Sequence, residues 1–330
     1  MNLKKLLLAG SVLFAGISQA ATMPMPISGN SRNGVALCKD GNVYAWGVNA
    51  AEDSAVTNVL CLDTTVAGYV NKSFYSTPQL VNTKGVELKQ VESGSGGFFL
   101  GVSDKGVLYL WGKTYAEALY YVDFVPVEAT SVKGYNLDGT PGGEYIGNVK
   151  KVVGSTYGYI ALMNDSSVVI SRDFVHVDTI IGSPKFIDVC AGDDSFFALS
   201  TDGMVYSTGI WNGHSSSSSG EYTNNLKPVL LEETMEPLKN VVAIGAGDVV
   251  SFAVTKDGKA YGWGNDSWGG CTGTGKMKEV LYANRISAGE YFSIRGRSYL
   301  DNVKQIDGGR GYGAAVTFDG YVLYWGNNDG

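Results

Sequence analysis

Short runs of apolar residues, four to six long by the usual measure of a strand, recur along the chain in pairs. The first pair lies in GVALCKDGNVYAWG (Gly34 to Gly47). It returns as FLGVSDKGVLYLWG (Phe99 to Gly112), FFALSTDGMVYSTG (Phe196 to Gly209), SFAVTKDGKAYGWG (Ser251 to Gly264) and GAAVTFDGYVLYWG (Gly313 to Gly326), with a weaker copy, YIALMNDSSVVISR, from Tyr159 to Arg172. Within each pair a polar turn separates the runs, and it ends at Gly41, Gly106, Ser166, Gly203, Gly258 or Gly320. Glycine there lets the backbone take the positive φ of a tight turn, so each copy predicts a β-hairpin. The spacing between turns varies, which predicts loops of unequal length on a constant frame.

A further glycine precedes every turn, at Gly29, Gly94, Gly154, Gly192, Gly247 and Gly309, and closes a short apolar stretch that predicts an inner strand. Segments downstream of the hairpins, such as Pro78 to Val81 and Pro228 to Leu231, supply a fourth, outer strand, where an edge position tolerates proline. Four strands per unit repeated about a ring predict an all-β fold, a β-propeller of six four-stranded blades, with seven as the alternative and an incompletely closed ring allowed. The last copy ends soon after Trp325, and few residues precede Gly29, which is why closure stays open. Trp46, Trp111, Trp263 and Trp325 then wedge between blades as core residues.

The motif of Gly followed by Ala-Leu-x-x-Asp-Gly-x-Val-Tyr-x-Trp-Gly resembles the regulator of chromosome condensation repeat, from about Gly29 to Gly326. That resemblance implies a propeller, typically of seven blades. The third copy departs from it, with Ser166 at the turn and Ser171-Arg172 in place of Trp-Gly, and predicts an irregular blade. The Gly-Gln-Leu-Gly segment that often follows Trp-Gly in this family is missing, which frees those loops for other uses. Among exported members of the repeat class, some bind another protein with one face of the ring, and the resemblance implies a similar mode here.

Composition narrows the function. With 45 glycines, 20 tyrosines and 17% charged residues, the chain is a folded, turn-rich protein. Its formal net charge of −7 repels phosphate backbones, so nucleic acid is not an expected partner. At the start, Lys4 and Lys5 precede an apolar stretch from Leu6 to Ile17 and then Ser18-Gln19-Ala20, the pattern of a secretory signal peptide over 1–20. A membrane anchor is the competing reading, but that stretch is shorter than the roughly 20 residues a spanning helix needs. The propeller is then residues 21–330, exported to the periplasm or the medium, with no membrane insertion after cleavage. Export permits disulfides. Cys38 with Cys61 is the candidate pair, and buried free thiols are the alternative for Cys38 and Cys190.

Catalysis finds little to use. His176 and His214 are the two histidines, and no nucleophile elbow, phosphate loop or Cys-x-x-Cys pair is present, so no enzyme, cofactor or metal site is expected. Adjacent Asp193 and Asp194 read as solvated turn residues, and a cell-envelope enzyme using such loop carboxylates is the weakest alternative. Past the second hairpin strand stand Tyr115, Phe174, Trp211 and Trp268 in four successive blades. Equivalent propeller loops share a face, so these four predict an aromatic arc for a protein partner, or for a glycan stacked on Trp211 and Trp268. The competing reading folds them back onto their own strands. Tyr120, Tyr121 and the run from His214 to Gly220 carry the Tyr/Ser/Gly vocabulary of recognition loops, although a serine run also serves as a plain flexible link.

Overall fold

A computed structural model describes residues 27–327 apart from 31, 50–57, 96, 114–119, 127–147, 175–176, 181–183, 211–212, 214–225, 267–268, 277 and 290–295. The first sheet contains β1 (Ile27–Gly29), β2 (Asn33–Leu37), β3 (Val43–Val48) and β4 (Phe74–Leu80). The second contains β5 (Leu88–Ser93), β6 (Phe98–Ser103), β7 (Leu108–Lys113) and β8 (Tyr120–Pro126). The third is β9 (Val149–Gly154), β10 (Tyr159–Met163), β11 (Val168–Ser171) and β12 (Val177–Ile180), and the fourth β13 (Phe186–Ala191), β14 (Ser195–Ser200), β15 (Val205–Gly209) and β16 (Lys227–Pro228). The fifth is β17 (Val241–Ala246), β18 (Val250–Thr255), β19 (Ala260–Gly264) and β20 (Val280–Arg285). The sixth has three strands among the described residues, β21 (Val303–Gly309), β22 (Tyr312–Thr317) and β23 (Val322–Gly326). Every sheet is an antiparallel meander in chain order, so the molecule is a β-propeller of six blades.

Each hairpin folds where the sequence places a residue able to take positive φ. Gly41, Gly106, Gly203, Gly258 and Gly320 have φ between 78° and 88°. Ser166 occupies the same conformation at 67°. The third blade, expected to be irregular, keeps four strands because a serine can be forced there. A non-glycine residue in this region costs about 1 kcal/mol or more, so Ser166→Gly is expected to raise the unfolding free energy by up to about 1 kcal/mol. A urea melt with an unchanged slope would show it; no gain would mean that Ser166 is held without strain.

The turns also join the blades. The Gly106 carbonyl accepts the Val149 amide at 2.8 Å, Ser166 accepts from Phe186 at 2.9 Å, Gly203 from Val241 at 2.9 Å and Gly258 from Val303 at 3.0 Å. Thus the hairpin turn of one blade clamps the first inner-strand residue of the next. At the opposite ends of the inner strands the recurrent glycines crowd together. A Cβ on Gly154 would lie 2.9 Å from the Gly94 Cα, and one on Gly247 would lie 2.2 Å from the Gly309 carbonyl oxygen. Only hydrogen allows strands to converge so closely.

Alternation within the hairpins sorts side chains onto two blade faces. Val35, Val43 and Ala45 of the first blade pack against Leu88, Val91, Phe99 and Trp111 of the second. Leu100, Val102, Leu108 and Leu110 meet Val149, Val152, Ala161 and Val169 of the third. The same contact repeats from the third blade to the fourth, the fourth to the fifth and the fifth to the sixth. Among the described strands no comparable packing joins the sixth blade to the first.

Trp111 and Trp263 are fully buried wedges in these junctions, with the Trp111 ring stacked 5.5 Å from Phe99. Trp46 and Trp325 are half-buried, each lying over the glycine across the hairpin, Gly34 and Gly313. Where the motif loses its tryptophan, other groups enter. Phe174 fills the junction of the third blade, its ring 4.6 Å from Phe98 and 6.1 Å from Tyr159. In the fourth blade, Thr208 takes the tryptophan position, and the Arg172 guanidinium stands 4.9 Å above the Phe196 ring with Nη2 donating to the Thr208 hydroxyl.

Two expectations are corrected. Cys38 and Cys61 form no disulfide, because Cys61 turns into the first junction while Cys38 lies exposed beside its turn. Exposure also removes the reading of Cys38 as a buried thiol.

Candidate partner-binding face

An antiparallel meander sends its first and third connections to one end and its second to the other. The inner turns and the loops after Trp-Gly therefore emerge together. Hydrogen bonds between blades show that they share one face of the ring: the Asn30 side chain donates to Ser93 Oγ and the Gly94 carbonyl, the Thr156 amide to the Asp193 carbonyl, and the Asp193 amide to the Asp248 carbonyl.

Beneath this face, inner strands carry a polar network. Gln90 exchanges two bonds with the Val152 backbone, and Lys151 Nζ donates to Asp188 Oδ1 at 2.6 Å and to the Val189 carbonyl at 3.0 Å. Burial pushes Glu92 up to about 8, with Asp307 adding to the rise and Lys151 and the Ser28 hydroxyl opposing it. Burial likewise raises Asp307 to about 7 against the pull of the Gly308 amide and Lys151. For Lys151, burial works against the charge, but Asp188 and Glu92 more than offset it and the ammonium is held above its usual value. One cation thus serves three converging carboxyls, and burial shifts two of those toward their protonated forms near neutral pH.

The mouth above is acidic and tied together. Asp193 accepts a short bond from the Thr156 hydroxyl, so this residue is half-buried and braced, in place of the solvated turn expected from the sequence. Burial raises Asp194, helped by Asp193 and opposed by Arg172. Burial and Asp193 bring Asp248 to about 6, with Arg310, at 3.8 Å, opposing. Tyr157 projects from the same rim, 45% exposed.

The long loop after the first Trp-Gly adds an apolar element. Residues 62–72 fold against β4 around a cleft of about 240 Å³ of mixed character, in which Val66, Val70 and Phe74 stand beside Asp63, Lys72 and Thr77. Val66, Val70 and Phe74 are exposed, at 44%, 61% and 55%. Their apolar surface is contiguous with open solvent, which marks a contact surface more than a core. Motif reading missed these residues because they lie outside the repeat; the only sequence signal was a Val/Tyr-bearing insertion of unusual length.

Of the aromatics expected on the face, Phe174 is not there. It is 4% exposed and belongs to the junction described above, so it is a core residue. Tyr120 and Tyr121 lie in β8, opposite Lys113 and Gly112, and are strand residues instead of loop residues. Tyr115, Trp211, His214 and Trp268 fall outside the described residues. Among the described residues no group of three or more His, Cys, Asp or Glu is arranged to hold a metal.

Six antiparallel meanders of hairpin repeats set about a ring define the class as a repeat β-propeller. No protein-family model matches the chain. The protein pim1 of Schizosaccharomyces pombe is 29% identical over 150 residues, covering 44% of this chain and 26% of its own. The chain thus spans about a quarter of that relative. Human WBSCR16 superposes with a TM-score of 0.65 at 14% identity, covering 92% of this chain and 76% of that one. Yeast RCC1 (Prp20), solved bound to Kap60, superposes at 0.59 with 17% identity over 91% and 69%. The chain is an RCC1-like repeat β-propeller.

Proposed function

We propose that this propeller is an exported binding protein that engages a protein partner through the face carrying the inner turns and the loops after Trp-Gly. The observations that carry the reading are the exposed apolar side chains Val66, Val70 and Phe74 around the cleft beside β4, and the braced acidic mouth. Structural neighbours support a protein partner in kind: yeast RCC1 is solved bound to Kap60, and Prp20p was examined for binding to Gsp1p and histones. Export rests on the signal-like segment at 1–20.

Affinity capture from the envelope and medium of the producing cell, using the chain without residues 1–20 as bait, tests this. A partner retained by the parent should be lost from Trp211→Ala/Trp268→Ala and from Val70→Asp, by at least about tenfold in affinity for a hot-spot loss near 1.4 kcal/mol or more. Thermal melts should stay unchanged. Capture that survives all of these substitutions, or a glycan as the retained species, would overturn the reading.

A further inference from the structure

The inner strands of the ring converge on ionisable groups. Glu92 on β5, Lys151 on β9, Asp188 and Cys190 on β13 and Asp307 on β21 act on one another there, from the second, third, fourth and sixth blades. Glu92, Asp188 and Cys190 are buried, Lys151 and Asp307 half-buried. Lys151 is bonded to Asp188 and the Val189 carbonyl, the Ser28 hydroxyl of the first blade faces Glu92, and the Gly308 and Ala246 amides face Asp307. Tyr312 stands within reach of both Asp307 and, at the mouth, Asp248. With every carboxyl of the cluster charged, three anions share one ammonium.

Each of these strands runs on into the mouth. β5 leads to Ser93 and Gly94, which accept from Asn30, while β9 leads to Thr156 and β13 to Asp193, whose amide is bonded to Asp248. β21 leads to Arg310, which also reaches Asp248. On the way the strands touch through glycine: a Cβ on Gly154 would lie 2.9 Å from the Gly94 Cα, and one on Gly247 would lie 2.2 Å from the Gly309 carbonyl oxygen. Contacts that close leave no gap for water between the pairs. Further charge beneath them is hydrated only if the inner strands move apart, and the mouth residues they carry move with them.

We propose that this cluster is a proton-operated clasp on the loop face: with Glu92 and Asp307 neutral the inner strands stay converged and the mouth stays braced, and with both ionised the strands part and the mouth loosens. Burial sets the window, with Asp307 near 7 and Glu92 near 8 while Lys151 favours their charged forms. A carboxyl raised in the closed state stabilises that state below its open-state value, and the contribution is lost as pH rises through the closed-state value. The clasp therefore holds at pH 6 and gives way as pH passes about 7 and then about 8. The response is a switch between two arrangements, because a close-packed layer does not deform by degrees. The clasp acts on the face whatever that face binds; a partner held there, which rests on the reading above, is gripped at the lower pH and released at the higher.

Hydrogen exchange on the chain lacking residues 1–20, at pH 6 and pH 8.5 and corrected for the intrinsic rate, should show the amides of Gly192, Asp193 and Gly247 losing protection about tenfold or more at the higher pH. The amides of Val149, Val241 and Val303, clamped by hairpin turns at the other ends of inner strands, should keep theirs. Glu92→Gln/Asp307→Asn should leave the mouth amides equally protected at both pH values. The parent alone supplies a second measurement: alkylation of Cys190 by iodoacetamide, relative to Cys61 and Cys271 buried in the outer junctions, should rise from pH 6 to pH 8.5. Equal mouth protection at the two pH values, a loss shared by the clamped amides, a double variant that opens as the parent does, or a constant Cys190 ratio would overturn the proposal. No partner enters these measurements, so the binding reading stands or falls separately.

Discussion

Replacing Trp111 by alanine should destabilise the propeller by about 3–5 kcal/mol, the range for deleting a fully buried aromatic from a core that cannot collapse around the void. Trp111 is wholly buried between the first and second blades, stacked on Phe99 and surrounded by Val35, Ala45, Leu88 and Val91. Val35, Ala45 and Phe99 lie on strands paired on both sides, so relaxation is limited. Equilibrium denaturation of the variant measures the loss. Trp46→Ala is the informative companion: Trp46 is half-buried, on the face of the first blade that no described strand of the sixth covers. Its replacement should cost clearly less. Equal losses at the two positions would mean that the sixth blade closes onto the first in solution.

Lys151→Ala should be comparably severe, at about 3–5 kcal/mol, because removing one partner of a buried ion pair strands the other. Asp188 loses its 2.6 Å bond, and Glu92 and Asp307 lose the one cation that favours their ionised forms. The pH dependence gives the effect a signature. Glu92 and Asp307 have folded-state values near 8 and 7, above the ordinary 4.5 and 3.8. A carboxyl raised in this way contributes its full stability below the unfolded value and loses it as pH rises through the folded one. The parent should therefore be more stable at pH 5 than at pH 8. In Lys151→Ala that slope should steepen, since charging either acid becomes harder still. Melting both proteins from pH 5 to 8 checks the sign; stability that climbs with pH in the parent would show that these carboxyls are ionised in the fold.

Much of the frame could be read from the chain. Turn glycines, the tryptophans at a constant offset and the inner-strand glycines each express a local demand: positive φ, a wedge between sheets, or a bare Cα where strands converge. What such reading missed were substitutions that act through space. Phe174 looked like a loop aromatic because it follows the motif, yet the junction emptied of tryptophan at Ser171 draws it inward. Arg172 covers Phe196 and Thr208 for the same reason. Cys38 and Cys61 were near in sequence, but one points to solvent and the other into a junction.

Alone, then, the order of residues determined the repeat, the hairpins, the blade faces and the side of the ring on which variable loops emerge, because period-two burial and turn stereochemistry act between near neighbours. Tertiary structure decided what depends on residues distant in the chain. It brought Glu92, Lys151, Asp188 and Asp307 from four blades to one buried cluster, folded residues 62–72 against β4 around a cleft, and left Val322 and Tyr324 exposed while their counterparts in the other blades were covered. The physical reason is common to all three: charge, shape and exposure at a site are set by which blade stands beside it, and no repeat carries that information within itself.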